Sequence, residues 1–290
     1  MLKILFIVNP FSGIGKQNKI EQLIGNYLDK NKFLPDIKYT EYAGHASEIS
    51  KKAVGEYDIV VAVGGDGSVN EVSRGLINSD TILAVIPTGS GNGFARHLKL
   101  PLNPEKAIKV INNLNIKTID TAQINNVSFV NVAGTGYDAE MGYNFSKLKK
   151  RGFSGYAKVV ISSFHLLKGK AMRIRVDKKE IENTFFLVTF ANGSQFGLNA
   201  KISPFSKVDD RIAEVITIKK FPIFTVPFIA LKLFTGKIHK SKYVKIYNAS
   251  ELKISVTGET IVHADGEPFK INKTIEIKII PKSLKIIVPL

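Results

Sequence analysis

The chain has 290 residues, 44% of them apolar, with no cysteine and with 41 Lys plus Arg against 25 Asp plus Glu, a formal charge of +16. That length favours two cores over one, and the absence of cysteine removes disulfides and thiolate metal sites. A positive field suits polyanions such as anionic lipid headgroups or phosphorylated small molecules, but with no arginine-rich tail and no zinc-finger, RNP or helix-turn-helix signature, no nucleic acid partner is expected.

The N-terminal run MLKILFIVNP is too short for a signal-peptide core. No window approaches the roughly 20 unbroken apolar residues of a membrane span. The expectation is a cytoplasmic protein. KILFIV, residues 3 to 8, is a continuous apolar strand of the kind buried on both faces of a parallel sheet. Ile20, Leu23, Ile24, Tyr27 and Leu28 then share one helix face. The strand DIKYT, a helix near Ala46 to Val54 and the strand DIVVAV follow, ending in Gly64-Gly65-Asp66-Gly67. Val69, Val72, Leu76 and Ile77 resume helical spacing. TILAVI, the second glycine cluster PTGSGNG, a helix around Glu105 to Asn112 and the strand NIKTID complete the half. Strands alternating with helices predict a doubly wound α/β domain over residues 1–120.

Past Asp120 the period changes. QINNVSFVNV reads as a hairpin about Asn125-Asn126, and MRIRV, NTFFLVTF, RIAEVITI, KYVKIY, ELKISV, TIVHA, TIEIKII and LKIIVPL are strand-like. They predict an all-β, antiparallel sandwich over residues 121–283, with a strand at about 284–290 able to return to the first domain. Two apolar stretches interrupt them, Phe153 to Lys168 and Phe221 to Lys240.

The glycine clusters fit neither common phosphate motif. PFSGIGKQ has Pro10 and Gln17 where a Walker loop needs Gly and Ser or Thr, and dinucleotide fingerprints starting at Gly13 or Gly89 meet Asn18 and Phe94. GTGYDA at 134 to 139 matches a dinucleotide variant but lies in the antiparallel half. Both remaining clusters follow parallel strands, where doubly wound sheets bind ligands, and glycine lets phosphate reach exposed amides at a helix start. Asp66, a carboxylate among phosphates, makes sense beside Mg2+ or a ligand hydroxyl. Asn70 and Glu71 fall in the same helical turn. His45, His97 and His263 have no metal-ligand spacing and read as loop or core histidines.

NPFSG at 9 to 13, GGDGSVNEV at 64 to 72, PTGSGNGFARHL at 87 to 98, SPFSKVDD at 203 to 210 and HADGEPF at 263 to 269 together resemble bacterial lipid kinases of the diacylglycerol kinase catalytic-domain family, which includes sphingosine and ceramide kinases. The resemblance implies a nucleotide-binding α/β domain, a C-terminal β-sandwich, and ATP and Mg2+ in the interdomain cleft. It places Asn9, Thr40, Gly64, Gly65, Asp66, Gly67, Ser68, Val69, Asn70 and Ser90 at the nucleotide. It makes Glu267 or Asp265 the general base, with Asp66 also catalytic, and it puts a structural Mg2+ on Asp210 and the carbonyls of Lys207 and Ile212. The chain departs from the family at Arg211, where a glycine is usual, and at Asn92-Gly93, which is closer to the sphingosine-kinase-like branch.

The reaction so implied is ATP-dependent phosphorylation of a hydroxyl on diacylglycerol, a sphingoid base, ceramide or phosphatidylglycerol. A kinase for NAD or another soluble metabolite, and a silent nucleotide-binding regulator, are the competing readings. A lipid substrate gives the charge a second meaning: Lys147, Lys149, Lys150 and Arg151, with Lys237 and Lys240, would meet an anionic membrane while residues near Phe221 to Phe234 face lipid. A homodimer stays open.

Overall fold

The computed structural model describes residues 1–12, 19–146, 169–256, 258–272 and 274–290. Gly13 to Gln17, the basic run 147–151 and the stretch 153–168 lie outside the described residues. The chain divides into two compact units: Met1–Thr121 with Gly197–Asn199 and Ile280–Leu290, and Ala122–Phe196 with Ala200–Ile279.

In the first unit β1 (Leu2–Val8), β2 (Phe33–Tyr39), β3 (Ile59–Gly64) and β4 (Ile82–Pro87) form a parallel sheet in the order β4-β3-β1-β2. The end of β15 (Ile275–Ile287) joins it through the parallel pair Ile286 and Leu83. The central strands β1 and β3 are apolar at nearly every position because both faces are covered. Ile4, Phe6, Val8, Ile59, Val61 and Val63 meet Ile20 and Ile24 of α1 (Ile20–Tyr27) and Ala107, Ile108 and Ile111 of α5 (Pro104–Asn112). The alternate residues face α2 (His45–Ala53) and α3 (Asp66–Leu76). A five-residue helix, α4 (Gly93–His97), follows the second glycine cluster.

The second unit is antiparallel. β5 (Ile116–Ile124) crosses into it from the first and turns through Asn125, at φ 50, into β6 (Val127–Phe129), the hairpin that the Asn-Asn pair predicts. β7 (Val132–Gly136), β8 (Lys170–Val176), the 13-residue β9 (Lys179–Ala191), β12 (Glu251–Ser255), β13 (Thr260–Ala264) and β14 (Glu267–Ile271) pair in the order β14-β13-β7-β9-β8-β12-β15. β10 (Ala213–Lys219) pairs with β9 and with β11 (Val244–Ala249). Phe129, Phe185, Phe190, Leu252, Val262 and Ile277 centre the larger core. A second core, with Phe186, Ile216 and Phe221, packs against α7 (Val226–Phe234).

One expectation needs correction: TIEIKII and LKIIVPL are not two strands but the single β15, which runs through Pro281 with Lys282 at φ 50. Within GTGYDA, residues 134–136 end β7 and residues 137–139 open α6 (Tyr137–Ser146), a helix that its sequence does not announce because YDAEMGYNFS has no continuous apolar stripe. No helix among the described residues is long and apolar enough to cross a membrane.

Candidate functional site

The strand order of the first unit reverses between β1 and β3, which makes the carboxyl ends of those two strands the crevice where such sheets take ligands. Asn9 leaves β1 there. Its Nδ2 donates to Ser68 Oγ at 3.1 Å, and its Oδ1 accepts the Phe11 amide at 2.9 Å. Ser12 Oγ lies 2.9 Å from Asn9 O and 2.9 Å from the buried Thr88 Oγ1 at the end of β4. Thr88 N donates to Gly64 O, and Thr40 N, just past β2, donates to Val8 O, each at 2.9 Å. Four strand ends thus meet through short polar links. Ser12 and Thr88 were not singled out in the sequence, where isolated hydroxyls carry no pattern.

The two glycine clusters touch. A Cβ on Gly89 would lie 2.5 Å from Gly65 Cα, and one on Gly64 would lie 2.2 Å from Ser68 Oγ, so both positions exclude a side chain. Gly65 caps α3, whose first turn holds Asp66, Gly67 and Ser68, and the leading amides of a helix have no intrahelical acceptor. That end carries the positive pole of the helix dipole. Asn92, left-handed at φ 49, folds back with Nδ2 on Gly89 O at 2.7 Å, while Ser90 between the glycines is exposed. Gly197, at φ +126, lies against Gly91, and Leu198 N donates to Gly91 O at 3.2 Å. This tether has no sequence signal.

Asp66 reaches across from the first cluster to the second: its Oδ1 accepts the Phe94 amide of α4 at 3.3 Å. A Cβ on Gly91 would come within 2.9 Å of Asp66 Oδ2, so the missing side chain leaves a cradle beside a hard carboxylate oxygen. That donor chemistry fits Mg2+ among phosphates. Its neighbours differ in use. Val69 has its side chain in the core and its N–H on Gly65 O, so both groups belong to the fold, and the Asn70 side chain is fully buried. Glu71 accepts from Gly44 N at 2.9 Å and Ala46 N at 3.2 Å, capping α2 rather than facing the crevice.

In the second unit Asp265 and Gly266 form the two-residue turn between β13 and β14, both left-handed at φ 49 and φ 86, with Ala264 paired to Glu267. The turn is no loose surface hairpin. Asp265 is 8% exposed, and its carboxylate accepts three backbone amides, from Val130, Asn131 and Val132, each at 2.9 Å. Asp265 thereby holds the turn, and half-buried Glu267 is the first residue of β14.

Lys207, Asp210 and Ile212 lie on one exposed loop. Asp210 Oδ1 accepts Ile212 N at 3.2 Å, and Arg211 takes the left-handed turn position at φ 64. Glu214 points inward to Ser203, and burial pushes its carboxyl above the usual glutamate range while the Ser203 hydroxyl pulls it back. Asp210 thus spends one carboxylate oxygen on its own loop, with the cation of Arg211 next to it in sequence. Among the described residues no group of three His, Cys, Asp or Glu could hold a metal.

Residues 3–124 match the diacylglycerol kinase catalytic domain, and residues 131–288 match the YegS C-terminal NAD kinase beta sandwich-like domain. The chain is 30% identical over 276 residues to a diacylglycerol kinase of Bacillus subtilis strain 168, covering 92% of this chain and 90% of that one. It is 31% identical over 272 residues to a diacylglycerol kinase of Staphylococcus epidermidis strain RP62A, covering 90% and 84%. A crystal structure of a diacylglycerol kinase from Bacillus anthracis str. Sterne has the same fold, with a TM-score of 0.75 at 23% identity over 99% of this chain and 96% of that one. With both domains matched in order, and the glycine clusters built into the crevice of a parallel sheet, the chain is a kinase that belongs to the diacylglycerol kinase family.

Proposed function

We propose that this kinase transfers the γ-phosphoryl group of ATP, with Mg2+, to a hydroxyl of diacylglycerol or a closely related lipid. The observation that carries the nucleotide half is the closure of the two glycine clusters on each other at the switch point of the sheet, with the start of α3 between them. Backbone amides of Gly65 to Ser68 bind the phosphates, and Asn9 and Ser68 shape the loop that presents them. Asp66, through the oxygen facing Gly91, would hold Mg2+, which supplies neutralisation of phosphate charge when bound.

Phosphoryl transfer asks for positioning and charge stabilisation more than for covalent chemistry. The lipid oxygen forms its bond to the γ-phosphorus as the bond to the bridging oxygen of ADP breaks. Glu267 accepts the hydroxyl proton. Asp265 keeps that residue in place through its three amides. The names of the relatives support diacylglycerol as the acceptor class.

Peripheral membrane contact is the second part of the proposal, supported by α7 and the short turn, Ile223–Thr225, that leads into it. Val226, Ile229 and Leu233 pack inward, whereas Phe224, Phe228, Leu231 and Phe234 are 72%, 65%, 62% and 55% exposed. A helix apolar on both faces with only one face covered, and with Lys232, Lys237 and Lys240 beside it, suits an anionic bilayer.

The test is phosphate transfer from radiolabelled ATP to diacylglycerol, monoacylglycerol, a sphingoid base, ceramide, phosphatidylglycerol and NAD. Label in a lipid product, lost on chelation and in Asp66→Asn, is expected. Label in NAD alone would overturn the lipid reading.

A further inference from the structure

One buried imidazole has no place in the chemistry above. His263 lies on β13 two residues before Asp265 and is 3% exposed. Alternation along the strand sends Val262 and Ala264 into the larger core and His263 to the opposite face, the side on which α6 packs. There its Nε2 is 3.1 Å from Asp138 Oδ2, an oxygen that also accepts the Thr189 hydroxyl at 3.0 Å. Asp138 Oδ1 accepts the Ala139 amide at 2.8 Å. On the other side of the ring, Gly266 N–H points at His263 Nδ1 at 3.4 Å.

A carboxylate only accepts, so Nε2 carries the proton and Nδ1 offers its lone pair to Gly266, and this one neutral tautomer satisfies both neighbours. Thr189, Asp138, His263 and Gly266 therefore form a chain of donors and acceptors that ends on the turn amide next to Glu267. The turn needs such restraint. Left-handed backbone at Asp265 costs roughly 1 kcal/mol, and the amides of residues 130 to 132 hold only its first residue.

We propose that His263 is a positioning residue for phosphoryl transfer: it fixes the Gly266 amide, and with it the approach of Glu267 to the lipid hydroxyl, while Asp138 and Thr189 set its ring and tautomer. The inference rests on the reading of Glu267 as the base.

Kinetics of His263→Asn, His263→Gln and Glu267→Gln, with hydrogen exchange at the Gly266 amide, test it. Asn keeps an acceptor near the place of Nδ1, whereas Gln keeps a donor toward Asp138 and loses the acceptor. His263→Gln is expected to lower kcat by about 10–100-fold at unchanged KM for ATP and lipid, the scale of a small misplacement of a reacting group. It should also speed Gly266 exchange, and His263→Asn should recover most of both. Wild-type kcat and exchange in His263→Gln, or equal losses in the two variants, would overturn the proposal. If Glu267→Gln is fully active, the base assignment fails by itself, and Gly266 exchange in the two histidine variants still decides whether His263 holds the turn.

Discussion

Asp265 and Glu267 are two acids one residue apart in one short motif, and the proposed mechanism gives them different work. Three amide donors on a buried carboxylate are a large local stabilisation, since hydrogen bonds to charged groups contribute about 1.5–3 kcal/mol each. Asp265→Asn sets an amide N–H2 against a backbone donor. We expect it to lower the melting temperature by several degrees, corresponding to about 2–4 kcal/mol, and to reduce activity through the displaced turn. Glu267→Gln should lower kcat by about 100-fold or more, within the range for loss of a general base, and lower the melting temperature by less than Asp265→Asn does. Equal melting losses in the two variants would sink this division of roles. Asp-Gly before a strand is legible in the sequence as a hairpin turn, and it is one. The clamp is not legible, because its amides lie 133 to 135 positions away.

At the scale of elements, continuous apolar strands and helices with one apolar stripe made the doubly wound pattern readable, because burial on both faces of a sheet writes itself into consecutive residues. What escaped the sequence was contact between elements. Glu71 reads as a helper at the phosphate loop, yet it ties the start of α2 to α3 across 25 to 27 positions. Gly65 and Gly89 read as parts of two separate phosphate loops, yet the loops touch, with a Cβ on Gly89 only 2.5 Å from Gly65 Cα and one on Gly65 at 3.3 Å from Gly89 Cα. A methyl group on Gly89 meets backbone at 2.5 Å, which cannot give way, whereas one on Gly91 meets the end of the Asp66 side chain at 2.9 Å, which can. Gly89→Ala should therefore raise the KM for ATP by about tenfold or more and cost about 1–3 kcal/mol in stability, the usual range for overpacking. Gly91→Ala should keep the stability while shifting the dependence on Mg2+, through Asp66. Titrations of ATP and of Mg2+ on both variants check the pair, and identical profiles would refute the distinction.

For the molecule as a whole, the charge of +16 and the exposed apolar residues in and just before α7 bear on the same question, how a kinase of this family meets a lipid. The sequence carried both features but could not separate them from solvated lysines over a core helix, since an all-apolar helix reads alike whether one face or two are covered. The inward set Val226, Ile229 and Leu233 accounts for the core, which leaves Ile223, Phe224, Phe228, Leu231 and Phe234 without that explanation. Even at partial burial, inserting two phenylalanines contributes about 3 kcal/mol, roughly a hundredfold in partition. Each lysine near an anionic surface adds about 1 kcal/mol, a contribution that salt removes as the Debye length falls from about 10 Å at 0.1 M to about 3 Å at 1 M. Sedimentation with phosphatidylglycerol vesicles should therefore fall with salt. It should fall about a hundredfold in Phe224→Ser/Phe228→Ser, whose melting temperature should hold because neither side chain supports the core. The same double variant should keep its activity on a short-chain, water-soluble diacylglycerol and lose it on vesicles, because docking and chemistry are then separate demands on the protein. Binding indifferent to lipid charge, to salt and to this pair of residues would leave α7 with no role at the bilayer.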